Sequence, residues 1–158
     1  MKIIKNLFLL VLISCLFLTS CEKSPATAKD FAAALDPNKF IINNIELDET
    51  EKALGITQYL RASTENDECR FQFIICETDE QAKNVYSTNF KDDIYTTGKD
   101  YTTIKDDISK ENFDYIYATV ENGILVTSRL GNTILAVSSE SVYSKYIFNI
   151  IEDLGYDK

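Results

Sequence analysis

The side chains in this sequence that could do chemistry are carboxylates and thiols. Three acidic pairs, Asp79-Glu80, Asp92-Asp93 and Asp106-Asp107, are of the type that performs general acid and base work in glycoside hydrolysis. Their positions argue against it: Asp79-Glu80 opens an expected helix, where the dipole alone favours acid, and the other two pairs fall in a polar stretch. Asp100, Asp106 and Asp107 supply oxygens suited to a hard cation, but they lack the alternating ligand spacing of a calcium loop and read as solvated acid, so no metal is expected. Histidine is absent, which removes the Ser-His and Cys-His dyads and the common zinc sites. The five glycines are dispersed among turns and caps, so there is no phosphate-cradling loop. These residues point away from an enzyme and from any cofactor.

The four cysteines divide into two groups. Cys15 and Cys21 belong to an N-terminal segment in which Lys2 and Lys5 precede an apolar core from Leu7 to Leu18. That core is too short to span a bilayer, which needs roughly 20 apolar residues. It ends in Leu18-Thr19-Ser20-Cys21, which resembles the lipobox of a bacterial lipoprotein. The resemblance implies cleavage before Cys21, acylation of its thiol and attachment to a cell membrane on the extracytoplasmic face. Residues 1–20 are then the signal peptide, and residues 21–27, with Pro25 among small polar residues, are the lipidated cysteine and a tether. Cys69 and Cys76 lie in one β-like run, and at about 3.3 Å per residue they sit too far apart for a disulfide. They read as buried free thiols, or as the mark of a reducing habitat.

Charge narrows the partners. The chain carries a net charge of −9, and loss of Lys2 and Lys5 with the signal takes it to −11. Such a surface excludes nucleic acid and docking on anionic lipid, so membrane attachment must come from the acyl chains on Cys21. The acidity serves solubility or faces a basic partner protein.

The elements that would position these groups are legible in outline. Thr27 with Asp30 predicts a capping box and a short helix through Leu35, stopped by Asp36-Pro37. Strands are expected over Phe40 to Leu47, Leu54 to Arg61 and Cys69 to Glu77, the first two joined by a polar connection at 48–52. Thr78, with Gln81, caps a helix carrying Ala82, Val85, Tyr86 and Phe90. From Lys91 to Asn112 the pattern dissolves, which predicts a long polar loop, disordered or binding, with Tyr95, Tyr101, Asp106 and Asp107 as candidate binding residues. Asn122-Gly123 and Gly131-Asn132 predict two tight turns joining three strands, the first a type I′ turn. Ser139 or Ser141 caps a last helix striped by Tyr143, Tyr146, Ile147, Ile150, Ile151 and Leu154, and Gly155 ends it with Tyr156 folding back. The expectation is a single α+β domain over 28–158, a mostly antiparallel sheet with helices packed on one face in the order α-βββα-βββα.

Two C-terminal segments, Val126 to Leu135 and Ile150 to Tyr156, look like the ending of small cell-envelope lipoproteins of low-GC Gram-positive bacteria, which pair a lipobox with a domain of unknown function. The resemblance implies a domain type and carries no site residues. Two functional readings follow. One is a membrane-anchored binding or scaffolding module; the other is an acidic inhibitor or immunity-type protein directed at a basic toxin or hydrolase.

Overall fold

The structure is a computed structural model that describes residues 23–96 and 102–158. The expected signal peptide, Cys21, Gly98, Asp100 and Tyr101 lie outside the described residues. In chain order the elements are α1 (Ala28–Ala34), β1 (Ile41–Asn44), α2 (Glu49–Ala53), β2 (Ile56–Ser63), β3 (Cys69–Cys76) and α3 (Asp79–Tyr86). A π-helical turn (Ser87–Lys91) leads into α4 (Asp92–Thr96), followed by β4 (Thr103–Ser109), β5 (Phe113–Val120), β6 (Gly123–Leu130), β7 (Thr133–Glu140), a 3-10 turn (Ser141–Tyr143) and α5 (Ser144–Asp153). This is an α+β fold built on one seven-stranded antiparallel sheet, ordered β1-β2-β3-β7-β6-β5-β4.

Strand alternation divides the interior into two cores, one on each side of the sheet. On the first side Phe71 and Phe73 of β3, Leu135 and Val137 of β7 and Val126 of β6 pack against α1 and α5 through Phe31, Ile147, Ile150 and Ile151. Phe31 stacks on Phe73 with ring centroids 4.9 Å apart and meets Phe71 edge-on at 6.4 Å. Each such ring, fully buried, contributes about 1.5–3 kcal/mol. On the second side Ile74, Cys76, Ile116 and Ile134 lie under Ala82, Val85 and Tyr86 of α3 and Ile94 of α4. Helices therefore cover both faces, where one was expected. The reason is visible in β3, whose Ile74 and Cys76 give it apolar residues on both sides.

Several local expectations hold. Thr27 and Asp30 form a reciprocal capping box, and Thr78 accepts the backbone N–H of Gln81. Cys69 and Cys76 are free and buried. At the C-terminus the N–H of Tyr156 donates to the carbonyl of Ile151 and that of Gly155 to Glu152, a Schellman cap with Gly155 at φ +81° and Tyr156 wholly buried.

Others are corrected. The connection at 48–52 contains α2, because Asp48 and Glu51 themselves make a capping box. The last helix has no side-chain cap from Ser139 or Ser141; the 3-10 turn leads into it. The β5–β6 hairpin forms, but Glu121 and Asn122 are its turn residues and neither Asn122 nor Gly123 has positive φ. Gly123 is needed for close approach, since a Cβ there would lie 2.5 Å from the Ser139 carbonyl oxygen. Most of the expected loop at 91–112 is ordered, as α4 and the edge strand β4. A bulge between Ile104 and Asp106 carries Ile104 to the second core and Ile108 to the first, which erases the two-residue period. The second unit thus has four strands, and the observed order departs from α-βββα-βββα by that strand and by helices α2 and α4.

Of the residues expected as a tether, 23–27 are described: Lys23, Ser24, Pro25 and Thr27 are exposed and Ala26 is half-buried. Lys23 Nζ donates to the Asp157 carbonyl at 2.8 Å, Pro25 lies against the Gly131 turn, and Ala26 and Ala28 pack on the first core.

Candidate functional site

On the second face α3 and α4 roof only part of the sheet. Beyond their edge the same face continues as Tyr59 of β2, Gln72 of β3, Leu125 and Thr127 of β6 and Ser138 of β7. With Asn89, Phe90 and Asp93 as one wall and Glu51 of α2 at its rim, this floor makes an open groove of about 380 Å³. That volume lies within the range of small-ligand sites.

The wall takes its shape from the π-helical turn. Side chains bond back onto the end of α3 here: Ser87 Oγ donates to the Lys83 carbonyl at 2.8 Å and Thr88 Oγ1 to that of Asn84 at 3.0 Å, two carbonyls that also accept the Ser87 backbone N–H. The turn offsets Asn89 and Phe90 from the α3 stripe and sets them on the groove. On the floor the Tyr59 hydroxyl donates to Gln72 Oε1 at 2.7 Å, which leaves the Gln72 amide nitrogen for a ligand. Arg61 Nη2 reaches the Tyr59 oxygen at 3.4 Å, and its guanidinium sits 5.9 Å from the Tyr59 ring. At the inner end Tyr86 and Thr127 share a hydroxyl contact at 3.4 Å. Burial pushes the Tyr86 phenol far up, so it stays protonated. Neutral donors and acceptors, two carboxylates and an aromatic wall suit reversible binding of a polar molecule.

The residues singled out from the sequence lie elsewhere. Tyr95 and Asp107 do meet: the Tyr95 hydroxyl donates to Asp107 Oδ2 at 2.5 Å, and Lys91 Nζ lies 3.1 Å from the same carboxylate. That hydrogen bond pushes the Tyr95 phenol up to about 12. The trio braces α4 against β4. Asp106 points to the opposite side of β4 and pairs with Lys158 at 2.6 Å. Tyr101 and Cys21 lie outside the described residues. Among the described residues no group of three or more acids or cysteines could hold a metal ion, and no helix is long and apolar enough to cross a membrane. Both free thiols are pushed up by burial, Cys76 to about 11, and are poor nucleophiles there.

No family model, curated protein or solved structure matches this chain. The segments that look like an envelope-lipoprotein ending form the β6–β7 hairpin and the Schellman cap, and packing accounts for both.

Two polar sets were missed from the sequence. The groove residues come from four strands together with α2, the π-helical turn and α4, and only Gln72, a polar residue alternating with Phe71 and Phe73, gave a local sign of an open face. The second set is a buried ion pair, Arg129 Nε to Asp114 Oδ2 at 2.6 Å, with the Arg129 side chain 1% exposed. Arg129 also donates to the carbonyls of Gly131 and Glu111, and Ser109 Oγ donates to Asp114. Every charged atom is occupied within the fold, so this set reads as structure.

Proposed function

We propose that this protein is an extracytoplasmic lipoprotein, acylated on Cys21 and held on the cell membrane, whose domain acts as a binding module rather than an enzyme. The observation that carries the reading is the uncovered strip of sheet floor, where Tyr59, Gln72, Thr127 and Ser138 line a groove of about 380 Å³. A sheet face left polar and open beside a packed helical cover has its hydrogen-bonding capacity available to a partner. Membrane attachment rests on the lipobox, and no nucleic acid, cofactor or metal is part of the proposal. The test is a cross-linked pull-down from the native envelope with the full chain tagged at Lys158 and Cys21→Ala as the localisation control. Gln72→Leu is expected to abolish capture while the melting temperature stays within a few degrees. Undiminished capture by that variant would remove the groove from the reading.

The acidic inhibitor or immunity-type reading keeps a place on one separate observation. Asp67, Glu68, Glu121 and Glu140 surround a shallow depression of about 430 Å³ at one end of the sheet. A basic protein bound there would dissociate as salt screens the contact. A complex indifferent to salt would discard this second reading.

A further inference from the structure

Four features meet at one end of the sheet. They are the β4–β5 turn, closed by the Lys110 N–H donating to the Phe113 carbonyl, the Gly131-Asn132 turn, the chain end at Asp157-Lys158, and the first described residue, Lys23. Lys23 Nζ and Lys110 Nζ lie 6.0 and 5.8 Å from the centroid of the Phe113 ring. The opposite end holds the 64–68 turn and the Glu121-Asn122 turn, tied together as Glu140 N–H donates to the Glu68 carbonyl and Ser141 N–H to that of Asn122. With strands of eight residues, the two ends are about 25 Å apart.

Lys23 is exposed and held by an ion pair with Asp157, and packing on the core begins at Ala26, five residues after Cys21. Five residues reach at most about 18 Å when fully extended, less than the length of the sheet. An acyl chain on Cys21 must enter the bilayer, and a packed domain that starts so near cannot tumble freely above it. We propose that the end of the sheet carrying Lys23, Lys110 and Lys158 rests on the phospholipid headgroups and that the acidic end is held facing outward. The inference rests on the acylation of Cys21 proposed above, and adds a fixed orientation to it. Charge permits the contact: Lys23 and Lys158 are paired with Asp157 and Asp106, and Lys110 is exposed beside Glu111, Glu77 and Asp79, a mixed surface compatible with zwitterionic headgroups, whereas Glu65, Asp67, Glu68, Glu121 and Glu140 gather at the far end beside Arg70.

The experiment uses the full-length acylated protein in phosphatidylcholine vesicles doped with a nickel-chelating headgroup lipid. Single cysteines for nitroxide labelling are placed at Lys110→Cys and, in a second variant, Glu111→Cys at the near end, and at Glu121→Cys at the far end. Cys69 and Cys76 are buried and stay unlabelled. Headgroup nickel is expected to relax the two near-end labels several-fold more than the far-end label. An insert of about ten glycine and serine residues between Glu22 and Lys23 should make the three labels equal, because a flexible chain of that length frees the domain. Equal relaxation in the native-length protein that floats with the vesicles overturns the fixed orientation and leaves the acylation standing. Failure to float, with a mass showing no lipid on Cys21, overturns both.

Discussion

Asp114 and Arg129 make the clearest case for how single side chains act in this fold. Burying an ion pair is worth little against a packed apolar pair, but removing one partner strands the other charge. Asp114→Ala is expected to cost about 3–5 kcal/mol, read from urea unfolding. Asp114→Leu with Arg129→Met should recover most of that loss, and a double variant as unstable as the single one would show that the carbonyls of Glu111 and Gly131 depend on the guanidinium. Titration gives a second expectation. Burial moves the Cys76 thiol from its ordinary 9.0 up to about 11, and moves the Tyr115 and Tyr156 phenols from 10.0 to about 12. Each raised group holds its proton longer in the folded protein than in the unfolded chain. Their stabilisation is complete below about pH 9 and is lost as pH rises through 9–12. The urea midpoint should fall steadily over that window, and Cys76→Ala should shallow the fall between pH 9 and 11.

Elements whose ends are written in local chemistry could be read from the sequence. The α1 capping box at Thr27, the apolar alternation of β3 and the stripe of α5 closed by Gly155 all depend on residues within a few positions of one another. Gly155→Ala tests the last of these, since φ is +81° and a Cβ would meet nothing within 4 Å. The cost, about 1–2 kcal/mol in thermal or urea unfolding, should come from the backbone alone. Strand β4 was illegible for the opposite reason: it is an edge, half exposed, and its bulge divides Ile104 and Ile108 between two cores. Helix α2 was missed although Asp48 and Glu51 carry the same capping signal as Thr27 and Asp30, because no apolar stripe follows it. The groove depends on which rows of the sheet α3 and α4 leave uncovered, and no stretch of neighbouring residues encodes that.

At the scale of the whole molecule the sheet is two meanders, β1-β2-β3 and β4-β5-β6-β7, joined along one seam where Cys69 to Ile75 pair with Ser139 to Thr133. Strand pairing within each meander is between consecutive strands, so loop closure is short everywhere except at the seam, which joins residues about sixty positions apart in the chain. The seam also runs beneath the groove, with Tyr59 and Gln72 on one side of it and Thr127 and Ser138 on the other. A chain cut between Thr96 and Thr103 would keep both meanders whole. The two pieces, expressed together, are expected to reassociate into a folded dimer of fragments detectable by size-exclusion chromatography and by recovery of the native near-ultraviolet spectrum. Neither piece alone would carry the complete groove. The groove is thus shared between the two halves of the chain and is complete only when they have found each other.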